Sequence, residues 1–278
     1  MKNCCYIFIA FFMLLSCSND TSDQANIDTN LLQRIDFYPG LAFERRWVFN
    51  TDGLLKEITK SDGTLVQDFT YDNNNRLINS TVFNDNGFNQ TYTFTYDNTN
   101  FVNSVNGETV NYNASLDSYY VGNLSQNYRL TKINSEKLLV YGKTSYQDFD
   151  DDGNPYEITW DEITVTYSNN NLMSYYPNDS CNYFTYDSQT NPIRNVILPI
   201  CRAFSFIENS RWVDGLYFSP NNPLSHEYCS EDPESEVYNY TYNTDNLPLI
   251  QTRDNYYLGV YENTITTAKY YYQGDVIP

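Results

Sequence analysis

Residues 71–97 read YDNNNRLINSTVFNDNGFNQTYTFTYD. A Tyr-Asp pair opens the stretch, and a second pair, Tyr96-Asp97, follows 25 residues later. Between them lie an Asn-rich turn, an Arg-Leu step and a run in which Tyr92, Phe94 and Tyr96 alternate with Thr91, Thr93 and Thr95. Side chains of a β-strand point to opposite faces in turn, so this run predicts a strand with one aromatic face. Asn is one of the few residues that tolerates the left-handed backbone of a tight hairpin turn. The stretch therefore predicts β-hairpins.

The same pattern recurs along the chain when the aromatic before each turn is taken as an anchor. Phe49, Tyr71, Tyr96, Phe149, Tyr167, Tyr186 and Tyr242 each lead a polar turn. Four residues after an anchor stand Gly53, Asn75, Asn100, Gly153 and Asn246. All are Gly or Asn, as positive φ requires. Six after it stand Leu55, Leu77, Val102, Pro155, Pro192 and Pro248. An apolar residue there restarts a strand, and Pro is tolerated at a strand's first position. From Phe49 to Tyr71 is 22 residues, and the steps either side of Tyr167 are 18 and 19. Self-similarity at such a period marks a repeat architecture.

The Tyr-Asp pair, Asn- or Gly-rich turn, Arg-Leu, Gly and second Tyr-Asp resemble one unit of the RHS/YD-repeat family. The resemblance is close over residues 45–100 and looser over 140–260. It departs where the second residue of the pair is Asn50, Ser168 or Asn243. It implies an all-β fold of consecutive antiparallel hairpins, forming a twisted, curled open sheet or a partly closed barrel. The chain is too short for the closed shell of the large family members. It looks more like the short YD-repeat lipoproteins of Bacteroidetes, and the resemblance itself brings no chemistry.

The N-terminus supplies an address. Lys2 precedes an apolar run from Tyr6 to Leu15, which ends in Leu14-Leu15-Ser16-Cys17. The run is too short to span a bilayer, which takes about 20 residues, and reads as a secretory signal peptide over 1–16. Its ending resembles a bacterial lipobox, which implies lipidation of Cys17. Residues 17–32 then form the lipidated cysteine and a polar tether, with Asp20 and Asp23 near its start. The expected location is the outer membrane, held through the lipid and exposed at the cell surface, with the periplasmic face as the alternative. Residues 33–278 form a single β domain.

A net charge of −19 argues against nucleic acid, whose phosphates need a basic partner, and against docking on anionic lipid. The 28 tyrosines favour strands. Removal of 1–16 and lipidation of Cys17 leave Cys181, Cys201 and Cys229, an odd number. At most one internal disulfide forms among them. Cys201–Cys229 is the preferred pair, because both flank an irregular stretch, with all three reduced as the alternative.

Catalytic signals are sparse. His226 is the only histidine and sits in NNPLSHEYCSEDPE, which reads as a loop. No GxSxG, HExxH or phosphate-binding glycine loop occurs, and the protein is not expected to be an enzyme. No cofactor motif is present, and calcium is the one candidate ion. Asp148, Asp150 and Asp152, followed by Gly153, place three carboxylates at alternate positions as a calcium loop does. The twelfth position, where an EF-hand needs Glu, is Thr159. The run also coincides with a repeat turn, and a solvated acidic turn is the plainer reading.

Residues 197–236 break the hairpin rhythm and read as an irregular insertion. Loops on a rigid scaffold carry function, so Arg211, Trp212 and Tyr217 are the candidate ligand contacts. The alternative is a cap over a sheet edge. The expected role is non-catalytic binding of a glycan or a surface protein. A structural or assembly role without a small ligand is the second reading, and a glycan-active enzyme the third.

Overall fold

The computed structural model describes residues 31–83, 87, 89–113, 118–121, 129–133, 136–142, 145–149, 155–159, 164–169, 171–176, 181–194, 219–229 and 234–278. Its first eleven strands are β1 (Leu32–Phe37), β2 (Arg45–Phe49), β3 (Leu55–Lys60), β4 (Leu65–Tyr71), β5 (Leu77–Val82), β6 (Gln90–Tyr96), β7 (Val102–Val105), β8 (Glu108–Asn113), β9 (Ser118–Val121), β10 (Arg129–Ile133) and β11 (Glu136–Gly142). Nine more follow: β12 (Ser145–Phe149), β13 (Pro155–Thr159), β14 (Thr164–Ser168), β15 (Asn171–Tyr176), β16 (Cys181–Thr190), β17 (Asn221–Cys229), β18 (Glu234–Tyr242), β19 (Pro248–Tyr257) and β20 (Val260–Tyr272). The fold is all-β, as the alternation predicts.

Each strand from β2 to β11 pairs antiparallel with the next, and so does each from β14 to β20. β1 pairs with β2 on one side and β20 on the other, so the first and last described strands are neighbours in the sheet. Among the described residues eighteen strands make this one open meander, and β12 and β13 pair only with each other.

The repeated turn explains its own sequence. The second residue of the anchor pair closes the hairpin twice over. The Asp72 backbone N–H donates to the Arg76 carbonyl, and its carboxylate accepts from the N–H groups of Asn74 and Arg76. Asn50, Asp97 and Asn243 make the same pair of side-chain bonds, to Asp52 and Leu54, Thr99 and Phe101, and Asp245 and Leu247. Asn substitutes for Asp because only an acceptor oxygen is needed, a self-closing role these two side chains share in turns. The fourth slot is left-handed throughout, with φ of 74° at Gly53, 60° at Asn75, 62° at Asn100 and 60° at Asn246. Gly153 lies outside the described residues. The ladder register shifts at each of these four anchors, so Phe49, Tyr71, Tyr96 and Tyr242 pair with Leu55, Leu77, Val102 and Pro248, six residues on. Phe149 pairs with Pro155 in the same way.

The preference for Tyr over Phe at the anchor has a cause visible only in three dimensions. The Tyr71 hydroxyl donates to the Leu55 carbonyl at 2.8 Å, and the Tyr96 hydroxyl to the Leu77 carbonyl at 2.7 Å. Each anchor thus ties its hairpin to the sixth slot of the hairpin before. Tyr272, the last strand residue, repeats the bond to the Pro248 carbonyl at 2.9 Å. Arg76 adds a second tie. Its guanidinium pairs with Asp72, lies 4.8 Å from the Tyr96 ring centre and donates to Asn100 of the next turn. The Tyr-Asp pair is a device for closing one hairpin and fastening it to its neighbour.

At Tyr186 the expected turn does not form. β16 runs on to Thr190, and Pro192 sits in a turn at 192–194 rather than starting a strand. The insertion expected over 197–236 also needs correction, because β17 occupies Asn221–Cys229 and β18 begins at Glu234. Pro223 reads as a loop residue but pairs with Tyr186 where the ladder is irregular. Pro is tolerated in a sheet at such a point.

One face of the sheet carries the core. Leu32, Ile35, Phe37, Trp47, Phe49, Leu55, Ile58, Phe69, Leu77, Phe94, Tyr270 and Tyr272 are buried together. Fully burying side chains of this size contributes about 1.5–3 kcal/mol each. Because every neighbour is antiparallel, the aromatic-anchored turns after β2, β4, β6 and β18 share one end of the sheet with the start of β1. The β19–β20 connection lies at the opposite end.

Candidate binding surface

Most residues singled out by sequence fall outside the described residues: Cys17, Cys201, Arg211, Trp212, Tyr217, Asp150 and Asp152. Asp148 lies on β12, opposite Tyr156. Among the described residues no group of three His, Cys, Asp or Glu side chains is placed to hold a metal ion. Cys229 is disulfide-bonded, and the residue directly across the ladder from it is Cys181. The Cys201 preferred from sequence lies outside the described residues.

His226 is not a loop residue. It stands mid-strand on β17, buried, with its ring stacked on Phe184 at 4.5 Å between centres. Nε2 lies 2.8 Å from Asn182 Oδ1, and Nδ1 lies 3.3 Å from the Glu236 carboxylate. That carboxylate also accepts from the Tyr238 hydroxyl at 2.5 Å and pairs with Arg253 at 2.6 Å. Burial alone raises the Glu236 carboxyl; hydrogen bonds from His226 and Tyr238 and the Arg253 charge hold it below the ordinary range. Burial, then the Glu236 charge, pushes the neighbouring Tyr228 hydroxyl up. These groups link β16 to β19 through side-chain contacts, with the Arg253 Nε left buried and without a hydrogen-bond partner among the described residues. They brace the inner face where four long strands run side by side.

The stems of the insertion are clamped. The Asn191 N–H donates to the Pro220 carbonyl at 2.9 Å, and its side-chain amide to the Ser219 carbonyl at 3.0 Å. Asp187, the second residue of the Tyr186 pair, accepts from the Gln189 N–H, the Asn222 N–H, the Asn222 side-chain amide and the Tyr242 hydroxyl. In place of closing a hairpin, this carboxylate joins the two strands from which residues 195–218 depart. Burial, then this hydrogen bond, pushes the Tyr242 hydroxyl up.

The outer face of the same strands carries an exposed aromatic row that sequence reading missed. The register places Tyr183 opposite Glu227, Glu227 opposite Ser235, Ser235 opposite Tyr256 and Tyr256 opposite Tyr261. Residues directly opposite share a face, so these five form one line across β16 to β20. The Tyr256 and Tyr261 rings meet edge to face at 5.8 Å. Tyr183 and Tyr261 are 42% and 52% exposed. At about 4.8 Å per strand, Tyr183 stands roughly 14 Å from Tyr256. The signal for this row was the alternation in β16 and the Tyr256-Tyr257 doublet. Which face each ring takes depends on register, and sequence does not give register.

Structural comparison finds similarity to a porin-like protein from Bacteroides uniformis, 16% identical, covering 87% of this chain and 98% of that one, with a TM-score of 0.37. A porin-like protein from Bacteroides vulgatus is 13% identical, covers 88% and 99%, and has a TM-score of 0.34. No family model matches the chain, and no curated protein matches it.

Proposed function

We propose that this chain is a lipid-anchored protein of the bacterial cell envelope that binds glycan or protein without catalysis, through the outer face of β16 to β20. The row Tyr183, Tyr256 and Tyr261 carries the reading. Tyr183 and Tyr261 are exposed and Tyr256 is half-buried between them, although the sheet has an inner face on which Tyr238, Tyr270 and Tyr272 are buried. Tyr presents a large rigid contact area with a hydroxyl at its rim, suited to stacking on sugars and to protein interfaces. Glu227 and Ser235 lie between the rings and offer hydrogen-bonding groups. The strands beneath are braced by the His226–Glu236–Arg253 network, so little ordering cost attends binding. The LLSC ending at Cys17 and the polar tether support the anchor.

Glycan and surface-protein arrays test this directly. The wild-type chain should bind a defined class of probe. Tyr183→Ala and Tyr256→Ala should each weaken it about tenfold, at about 1.4 kcal/mol per decade, with the urea midpoint nearly unmoved. Binding that survives both substitutions, or a chain that binds no probe on either array, favours the structural or assembly role.

A further inference from the structure

We infer that the apex of the β19–β20 hairpin, formed by Tyr257, Leu258 and Val260, is a contact for the uncharged interface of a phospholipid bilayer. Tyr257 pairs with Val260, so only Leu258 and Gly259 connect the strands, with φ of 50° and 74°. The chain makes the same two-residue turn elsewhere. Val105 pairs with Glu108, and Asn106 and Gly107 connect them with φ of 51° and 81°. Asn suits the first position, because its short polar side chain tolerates the left-handed region. Leu does not, and it takes the strained conformation without gaining burial, since it is 54% exposed. Val260 beside it is 67% exposed. An apolar side chain held in strain and presented to solvent points to something outside the molecule that receives it.

Three features select a bilayer interface over a protein or a sugar. The apex is convex, a two-residue turn at the end of the sheet. Its outermost residues are aliphatic, and tyrosines lie on either side at 256, 257 and 261, the arrangement that places apolar groups in acyl chains and phenols among headgroups. Charge agrees as well. Residues 255–261 carry no charged side chain in a chain that has 35 acidic and 16 basic ones. Glu234 stands across the ladder from Tyr257, and Asp254 and Glu262 lie below the apex, so an anionic bilayer is disfavoured and a neutral one fits. β20 runs from Val260, while β1 joins it only from Ala268, so the apex stands about 25 Å beyond the end of β1. The aromatic row of the outer face begins one residue behind it, at the Tyr256–Tyr261 pair. This inference goes beyond the proposed glycan or protein role and does not depend on it.

The test puts a fluorophore at the apex. Leu258→Trp in the full chain is mixed with phosphatidylcholine vesicles whose acyl chains carry bromine, a contact quencher. Ile250→Trp, on an exposed β19 position far from the turn, is the reference. Emission of the wild-type chain is subtracted from both. The apex Trp should shift to shorter wavelength and be quenched at least twofold more than the Trp at 250. Acylation at Cys17 changes how much chain reaches the vesicle, not this ratio, so the two ideas fail separately. Leu258→Asn should melt at or above the wild-type temperature, since Asn suits the turn. Equal quenching at 250 and 258 at saturating lipid overturns the inference, as does an apex Trp that stays unquenched; a protein partner gives the latter result. A lower melting temperature for Leu258→Asn overturns the strain argument on which it rests.

Discussion

Removing the hydroxyl of Tyr272 tests the fastening between hairpins. Tyr272 is buried, and its hydroxyl donates to the buried Pro248 carbonyl at 2.9 Å. Tyr272→Phe keeps the ring and its packing and deletes only the donor. A net hydrogen bond contributes about 0.5–1.5 kcal/mol, and a buried acceptor left without its donor costs about 1–3 kcal/mol. The expected loss is therefore about 2 kcal/mol for Tyr272→Phe. For Tyr71→Phe and Tyr96→Phe, whose bonds are only partly buried, it is about 1 kcal/mol each. Tyr71 and Tyr272 lie four strands apart, about 19 Å, so their effects should add within about 0.5 kcal/mol. Urea unfolding followed by far-UV circular dichroism measures this, with the slope unchanged among variants. Losses below about 0.3 kcal/mol at all three sites would refute the claim that the hydroxyl explains Tyr at the anchor.

Asn75→Val should destabilise by about 1–2 kcal/mol, because a β-branched side chain is forced to φ near 60°, while Asn75→Gly should cost little; urea midpoints decide. Non-reducing digestion and mass spectrometry should recover a peptide pair linking Cys181 to Cys229, which face each other across the ladder, and a Cys201–Cys229 pair contradicts that expectation. Glu236 and Glu44 both sit below the ordinary carboxylate range in the folded chain. Their contribution is present above the unfolded value and lost as pH falls through the folded one. Stability should thus decline from about pH 5 downward, and less steeply in Glu236→Gln, measured by urea unfolding across that range.

Much of the fold was legible because its grammar is local. An anchor aromatic, a self-closing Asp or Asn, a left-handed Gly or Asn and a restart residue are read from adjacent positions, as at Phe49, Tyr71, Tyr96 and Tyr242. What failed was set by long-range pairing. Tyr186 carries the anchor, the Asp and the Pro, but Thr190 fills the slot that takes Gly or Asn elsewhere; Asp187 bonds to Asn222 and Tyr242 across the sheet, and no hairpin forms there. His226 reads as a loop residue because Pro223 and polar neighbours surround it. Its burial follows from Asn182, Phe184 and Glu236, which come from other strands. The aromatic row was hidden for the same reason, since a one-residue change of register moves every ring to the other face.

The claim on which the envelope role stands is that Cys17 carries lipid. Growth of a bacterium expressing the chain with labelled fatty acid measures it directly. Label should enter the wild-type protein, which should fractionate with membranes. Cys17→Ala should lose the label and either remain unprocessed or become soluble. Label retained in Cys17→Ala, or a wild-type protein that is processed without label, would contradict it.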